Sequence, residues 1–430
     1  MNDSQHLNRE QIHALQSKQL KALLEEIIPA NRFYSSKLEQ SHLSPGDLTT
    51  LDEFKKRMPF TFKKQLEDDQ LASPPYGTNL TYLLSRYTRY NQTSGSRGTP
   101  LRWLDTPESW NWMCNNWRRV YQAADVQAED RIYFAFSFGP FLGFWTAYEA
   151  ATHLGCLCIP GGGLSSVARL KAIRDNQVTV LCCTPTYAVH LAEVALSEGI
   201  DLQESCVNKI MVAGEPGGSV PATRSLIQRL WNGARVFDHH GMTEVGPVSY
   251  ECPDRAGLLH IIESSYIAEV VDSGSGKPAP KGHIGELVLT TLGRTGSPLL
   301  RYRTGDLVNP STSFPCSCGS YEIALEGGII GRADDMMIIR GVNIHPCAVE
   351  SVVRSHKEIA EYRIERQEEK TLAQLVIRVE LSAHCQDENA LVKELEDNLR
   401  AAFNLRIPVQ VVPPGGLPRS EMKSRRWDSH

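Results

Sequence analysis

"VTVLCCTPTYAVHLAEVALSEGIDLQESCVNKIMVAGEP", residues 178–216, decides the fold. "VTVLCC" is a short apolar run and reads as a buried strand. "TYAVHLAEVALSEG" repeats its apolar positions at helical spacing and ends in glycine. "VNKIMV" reads as a strand again. A strand, a helix and a second strand in this order form a unit that builds parallel sheets. The pattern extends outward. "RIYFAFS" (131–137) reads as a strand and "FLGFWTAYEAATHLG" (141–155) as a helix. "CLCIPGGG" (156–163) reads as strand and turn, and "SSVARLKAIRDNQ" (165–177) as a capped amphipathic helix. The expectation is α/β with a parallel sheet. Ligands of such sheets sit at the carboxyl ends of the strands. "GGGLSS" (161–166), "TPTY" (184–187), "GEPGG" (214–218) and "FDHHGMTE" (237–244) each follow a strand-like run, so they are expected to line one cleft.

Upstream, residues 9–28 carry Ile12, Leu15, Leu20, Leu23, Leu24 and Ile27 at roughly helical spacing. From about residue 265 the texture becomes β-rich, in "YIAEVVD", "GELVLTTL" and "PLLRYRTGDLV". Past Gly331 a small α+β unit is read. It has "MMIIRGVNI", a helix at "PCAVESVVRSH", a strand at "LAQLVIRVEL", a helix at "ENALVKELEDNLRAAF" and a strand at "VQVVPP". The expected division is a large domain at 1–331 and a small one at 332–430.

Composition bounds the partners. The chain has 430 residues, 41% hydrophobic and 22% charged, with a net charge of −5. That balance argues against nucleic acid or an anionic membrane as a partner. No run reaches ~18 apolar residues, and the longest candidate, 132–148, is broken by Gly139, Pro140 and Gly143. The first residues, "MNDSQHLNRE", lack a signal-peptide core. Eleven cysteines without such a core point to a reducing, cytoplasmic compartment.

Two stretches look like sites in themselves. In "QTSGSRGTPLRW" (92–103), residues Thr93, Ser94, Gly95, Ser96, Arg97 and Gly98 bury almost nothing apolar. The glycines let successive N–H groups turn into one concavity, with hydroxyls and a cation alongside. This is the chemistry of a phosphate cradle. It is not a Walker loop, because no Gly-Lys-Ser/Thr follows. The second stretch is Cys316-Ser-Cys318-Gly319. With Cys252 and His260 it makes a Cys₃His set that suits tetrahedral zinc.

The cradle stretch is followed in order by "GEPGG" (214–218), "HHGMTE" (239–244), "YRTGDL" (302–307), "GRADDMMIIRGVNIHP" (331–346) and "LPRSEMKSRR" (417–426). Taken together, from about 85 to 426, the chain resembles the adenylate-forming acyl-CoA synthetase superfamily, in its phenylacetate-CoA ligase branch. The resemblance implies an N-terminal adenylation domain with a β-rich subdomain and a small mobile C-terminal lid. It also implies a two-step reaction, from acid and ATP to acyl-adenylate, then to the coenzyme A thioester with release of AMP.

The same resemblance distributes roles. Residues 93–98 would hold the β- and γ-phosphates. Gly214, Glu215 and Pro216 would wall the adenine. Asp238, His239, His240, Gly241 and Met242 would belong to the nucleotide site. Thr243 and Glu244 would lie near the α-phosphate, with Glu244 offering the hard oxygen that Mg²⁺ requires. Asp306 would take the ribose hydroxyls, and Arg332 the ribose or phosphate. Lys423 would be the catalytic lysine, and Asp334 the hinge. Two positions depart from the family: Arg97 stands where threonine is usual, and His240 where a tyrosine stacks on adenine.

"AFSFGPFLGFWTAYEA" (135–150) would lie beside the acyl pocket. Phe136, Phe138, Phe141 and Trp145, with Gly241, are its candidate lining, and Phe134 stands at its start. The run has no lysine or arginine to meet a second carboxylate, so a monocarboxylic, aryl acid is expected. Transfer to a carrier-protein thiol or an amine, and a catalytically silent nucleotide-binding regulator, are the alternatives. A homodimer is compatible with all of these.

Overall fold

The computed structural model describes residues 7–93, 100–333, 337–339, 342–344, 346–369, 372–382, 385–418 and 426–428. A five-stranded parallel sheet runs in the order Leu157–Pro160, Arg131–Phe134, Val180–Cys183, Lys209–Val212, Arg235–Asp238. Helices Leu142–His153, Ser166–Asp175, Pro185–Ser197 and Pro221–Leu230 connect these strands.

Local chemistry starts these helices. Ser165 accepts the N–H of Ala168, and Thr184 accepts that of Tyr187, which satisfies donors the first helical turn leaves open. Pro185, at the first turn of its helix, sacrifices no hydrogen bond. That helix turns Ala188, Leu191, Ala192 and Ala195 inward against Leu181, Ile210 and Val212. Truncating Leu191 to alanine would cost roughly 2–5 kcal/mol.

The strand read over 131–137 stops at Phe134. Its neighbour ends at Pro160, and the last ladder bond on that side runs from Gly161 N–H to Phe134 O. With no partner beyond, Phe136 and Ser137 leave the sheet as loop.

A six-stranded antiparallel sheet follows, in the order Ser249–Glu251, Leu258–Ile261, Ala324–Arg332, Tyr302–Pro310, Gly285–Thr291, Tyr266–Val271. Helices Arg9–Ile27, Arg32–Gln40 and Leu51–Arg57 pack Leu20, Leu24, Tyr34 and Phe54 over Ile267, Leu292 and Leu300. Helix Pro107–Ala123, unread in the sequence, sends Trp110, Met113, Trp117 and Val120 into the main core.

The C-terminal unit has a four-stranded sheet, in the order Val409–Val412, Leu372–Leu381, Ile359–Glu369, Trp427–Asp428. Helices Pro346–Arg354 and Glu388–Phe403 cover it. Its core is its own: Ile344, Val349, Val353, Ile364, Ile377, Leu395 and Leu399. Among the described residues, no helix is long and apolar enough to cross a membrane.

Candidate active site

The loops that leave the parallel sheet converge. The N–H of Thr186, after strand Val180–Cys183, donates to Glu215 Oε1 at 2.9 Å. Ser219 Oγ donates to Asp238 Oδ2 at 2.6 Å. Gly218 makes this approach possible: a Cβ there would lie 2.5 Å from Asp238 Cγ. Three of the predicted loops, "TPTY", "GEPGG" and "FDHHGMTE", therefore form one wall.

Within that wall Asp238 and His239 are buried, and burial decides their protonation. Burial raises the Asp238 carboxyl to about 7, and nearby Glu251 adds to the effect. Burial, with His240 alongside, lowers His239 to about 3, so its ring is neutral. The His239 ring meets Trp117 edge-on at 4.3 Å.

Beyond His240 the chain forms a tight hairpin, Gly241–Met242 against Gly246–Pro247, with Thr243 and Glu244 in its turn. Arg294 fixes that turn. Its Nη1 donates to the carbonyls of Thr243 and Glu244, at 2.8 Å each. Its Nε and Nη2 grip both oxygens of Asp105 at 2.7 Å, and both side chains are 0% exposed. Such a two-pronged pair holds direction as well as charge. Asp105 ends strand Arg102–Asp105, whose partner Arg89–Gln92 leads directly into Thr93. One buried pair thus ties the Thr-Glu turn to the base of the predicted phosphate loop.

At that base, Thr93 is closed onto Leu101. Its N–H donates to Leu101 O, and its Oγ1 accepts the N–H of Leu101, both at 3.0 Å. Ser94, Gly95, Ser96, Arg97 and Gly98 lie outside the described residues, as do Asp334 and Lys423.

Asp306 lies across the cleft floor with both oxygens engaged. His240 Nε2 sits 2.9 Å from Oδ2, and Arg332 Nη1 donates to Oδ1 at 3.1 Å. Burial opposes ionisation of Asp306. The His240 hydrogen bond and the charges of His240 and Arg332 outweigh it and hold the carboxyl below its ordinary range. Gly305 has φ +76°, and a Cβ there would lie 2.6 Å from Arg332 Nη2. Glycine therefore opens the way for the guanidinium.

Lys63 Nζ lies 3.4 Å from Glu244 Oε1, and the Glu244 side chain is only 8% exposed. This carboxylate already faces a cation. Neither Lys63 nor Arg294 was singled out in the sequence. Each approaches the Thr-Glu turn from far along the chain, and no local motif marks it.

The aromatic residues after Phe134 form a stacked group. Phe136 lies parallel to Phe144 at 4.0 Å, and Phe138 packs on Trp145 at 4.8 Å and Tyr148 at 5.5 Å. Phe141 meets Phe144 edge-on at 5.9 Å. Phe134 itself is fully buried core. Helix Leu142–His153, which carries Phe144 and Tyr148, packs against the hairpin that holds Gly241. Phe144 and Tyr148 escaped the sequence reading, although their i, i+4 spacing places them on one helix face.

Away from the cleft, Cys252, His260, Cys316 and Cys318 come together, with all their ligand atoms within 4.8 Å of one another.

Residues 47–293 match the AMP-binding enzyme family, and residues 341–429 match the AMP-binding enzyme C-terminal domain. The chain is 31% identical to a phenylacetate-coenzyme A ligase of Thermus thermophilus, covering 96% of this chain and 95% of that one. It is 32% identical to a phenylacetate-coenzyme A ligase of Pseudomonas putida, covering 91% of this chain and 88% of that one. Among solved structures it resembles a 2-hydroxyisobutyryl-CoA ligase in the postadenylation state, in complex with R3-HIB-AMP. The TM-score is 0.92 at 25% identity, covering 100% of this chain and 94% of that one. Against that ligase in the thioesterification state, the TM-score is 0.70 at 26% identity, covering 98% and 90%.

Proposed function

We propose an aryl carboxylic acid as the substrate of this chain, which belongs to the AMP-binding enzymes and, within them, to the phenylacetate-coenzyme A ligases. It is an AMP-forming acyl-CoA ligase. The acid's carboxylate attacks the α-phosphorus of ATP and pyrophosphate leaves. The thiol of coenzyme A then attacks the acyl carbon of the acyl-adenylate and AMP leaves.

In this reading Asp306, kept ionised by His240 and Arg332, accepts hydrogen bonds from the ribose hydroxyls. Gly214, Glu215 and Pro216 wall the adenine. Thr243 and Glu244, held from behind by Arg294, face the α-phosphate. Glu244, whose carboxylate also faces Lys63, would offer the hard oxygen that Mg²⁺ requires. When bound, the ion would neutralise phosphate charge. Lys423 adds positive charge as the α-phosphate becomes five-coordinate.

The adenylation body spans 1–331 and the lid 332–430, with Asp334 as hinge. One ligase gives a TM-score of 0.92 in its postadenylation state and 0.70 in its thioesterification state. That fall supports a lid that takes two orientations, of which this chain has the first. We place the reaction in the cytoplasm, where ATP and coenzyme A are supplied.

The observation that carries the aryl reading is the ring group of Phe136, Phe138, Phe141, Phe144 and Trp145 beside the Gly241 hairpin. Flat rings offer a flat acid offset and edge contacts, worth about 0.5–1.5 kcal/mol each beyond buried area. The test is pyrophosphate release across phenylacetate, benzoate, 2-hydroxyisobutyrate, acetate and succinate, with and without coenzyme A. An aryl acid should have the highest kcat/KM, and coenzyme A should convert slow release into turnover. A branched hydroxy acid as the best substrate would overturn the aryl reading.

A further inference from the structure

We propose that Cys252, His260, Cys316 and Cys318 bind one structural zinc ion, which staples the loop at 311–323 to the hairpin formed by Ser249–Glu251 and Leu258–Ile261. This does not depend on which acid the enzyme uses.

The four side chains arrive from separate segments. Cys252 follows strand Ser249–Glu251 directly, and His260 lies on strand Leu258–Ile261, paired to Tyr250 on one side and Ala324 on the other. Cys316 and Cys318 sit in a turn closed by Cys316 N–H to Ser320 O and Gly319 N–H to Cys316 O, both 2.9 Å.

Their spacing is that of a coordination shell. Cys252 Sγ and Cys316 Sγ are 3.7 Å apart, and Cys318 Sγ is 3.4 Å from His260 Nε2. A tetrahedron with Zn–S of about 2.3 Å and Zn–N of about 2.05 Å has S–S edges near ~3.8 Å and S–N edges near ~3.6 Å. A disulfide would need about 2.05 Å between sulfurs, so Cys252 and Cys316 are not joined.

Burial points the same way. Cys252, Cys316 and His260 are 3%, 6% and 0% exposed. The plain alternative is a small apolar cluster, but a histidine is a poor member of one. The end of the loop is already tied to the hairpin, by Tyr250 Oη to Glu322 Oε2 at 2.6 Å and Ile261 N–H to Ile323 O at 2.9 Å, and the cysteine turn is the part a metal would hold. Residues 312–315 are all exposed, and Phe314 projects outward. Thiolate and imidazole ligands select zinc over Mg²⁺. Four protein ligands leave no open position for a reactive water, so the role is structural.

The staple reaches the active site through one neighbour. Glu251, adjacent to Cys252, accepts the N–H of Asp238 and pairs with Arg224. The metal therefore fixes the edge of the sheet against which the 238–244 loop is registered.

The test is elemental analysis of untagged protein purified without chelator. About one zinc per chain is expected in the wild type, and background zinc in a Cys316→Ser/Cys318→Ser double variant, with a melting temperature lower by several degrees. Should that variant not fold, titrating wild-type thiols with a mercurial in the presence of a zinc indicator decides: one zinc should be released as the three cysteines react. Cobalt-substituted protein should show thiolate-to-metal charge-transfer bands. Well under one equivalent in the wild type, a metal other than zinc, retention of zinc by the double variant, or no zinc release on mercurial titration would each overturn the site.

Discussion

The body and the lid bury charge in different places, one in the deep interior and the other at a seam. In the body, Asp105 and Arg294 are wholly buried, and the guanidinium has no route to solvent. In the lid, Arg426 bridges Glu361 at 2.7 Å and Glu350 at 3.5 Å, beside a seam with the body. That seam holds a small cavity of about 30 Å³, lined by Pro185, Thr186, His190 and Pro216 on one side and Glu350 and Arg426 on the other. The lid keeps its aliphatic side chains in its own core. A greasy seam would seal the two units together, whereas a charged, incompletely filled one lets them part at small cost. In the proposed mechanism, a site serving both half-reactions is pinned from the interior, and Lys423, serving one, is carried on a separable unit.

The strongest attack on that contrast is Asp105→Asn. It leaves Arg294 charged and buried without its partner, at a cost of roughly 3–5 kcal/mol. Denaturant unfolding measures it. Both half-reactions should fall, because the turn at Thr243 and Glu244 loses its anchor. Stability within about 1 kcal/mol of wild type would mean the pair does not pin the site.

Lys423→Ala attacks from the other side. Adenylation should slow ~10²-fold or more, by loss of a charge aimed at the transition state. Thioester formation from pre-made acyl-adenylate should be nearly unchanged. Equal losses in both steps, read by pyrophosphate release and thioester yield, would erase the distinction between body and lid. Asp334→Pro, which fixes one backbone dihedral, should likewise spare one half-reaction only.

A third measurement probes the interior wall alone. Asp238 is raised from 3.8 to about 7, and its neighbour His239 is lowered from 6.5 to about 3. Between about pH 4 and 6.5 the folded pair is protonated on Asp238 and neutral on His239. The unfolded pair is ionised on Asp238 and protonated on His239. Each state holds one proton, so the pair adds no slope to wild-type stability. Asp238→Asn leaves a histidine that binds a proton only when unfolded. Its stability should fall as pH drops below 6.5, by about 1.4 kcal/mol per unit. His239→Gln leaves a carboxyl that binds a proton only when folded, and its stability should fall as pH rises from 3.8 towards 7. Two variants with slopes of the same sign in a urea–pH series would refute the paired titration.

The smallest expected effect is His240→Phe. The ring face remains for the adenine while the bond to Asp306 is lost. KM for ATP should rise about tenfold, the worth of one hydrogen bond to a charged group, with kcat little changed. An unchanged KM would mean that Arg332 alone suffices to orient Asp306.

Much of this was legible along the chain, for local reasons. The strand–helix alternation of 131–238 depends on side-chain period and capping, and both are written in adjacent residues. The glycine-rich and Thr-Glu stretches follow strands, so their place at the sheet's carboxyl edge came with the alternation. Strand Ile359–Glu369 was missed because charges surround its inward residues Tyr362 and Ile364, and only tertiary burial marks the alternation. Helix Pro107–Ala123 was missed although Thr106 caps it and Pro107 opens it.

The sequence by itself determined the α/β class, the order of the motifs and the residue types of the cysteine–histidine cluster. These rest on spacing and on the chemistry of single side chains. Only the tertiary structure decided that Arg294 reaches back 189 residues to Asp105, that Lys63 faces Glu244, and that His240 turns its edge to Asp306. The physical reason is distance along the chain. A buried charge needs its partner within hydrogen-bond reach in space, and a fold satisfies that from any position in the sequence.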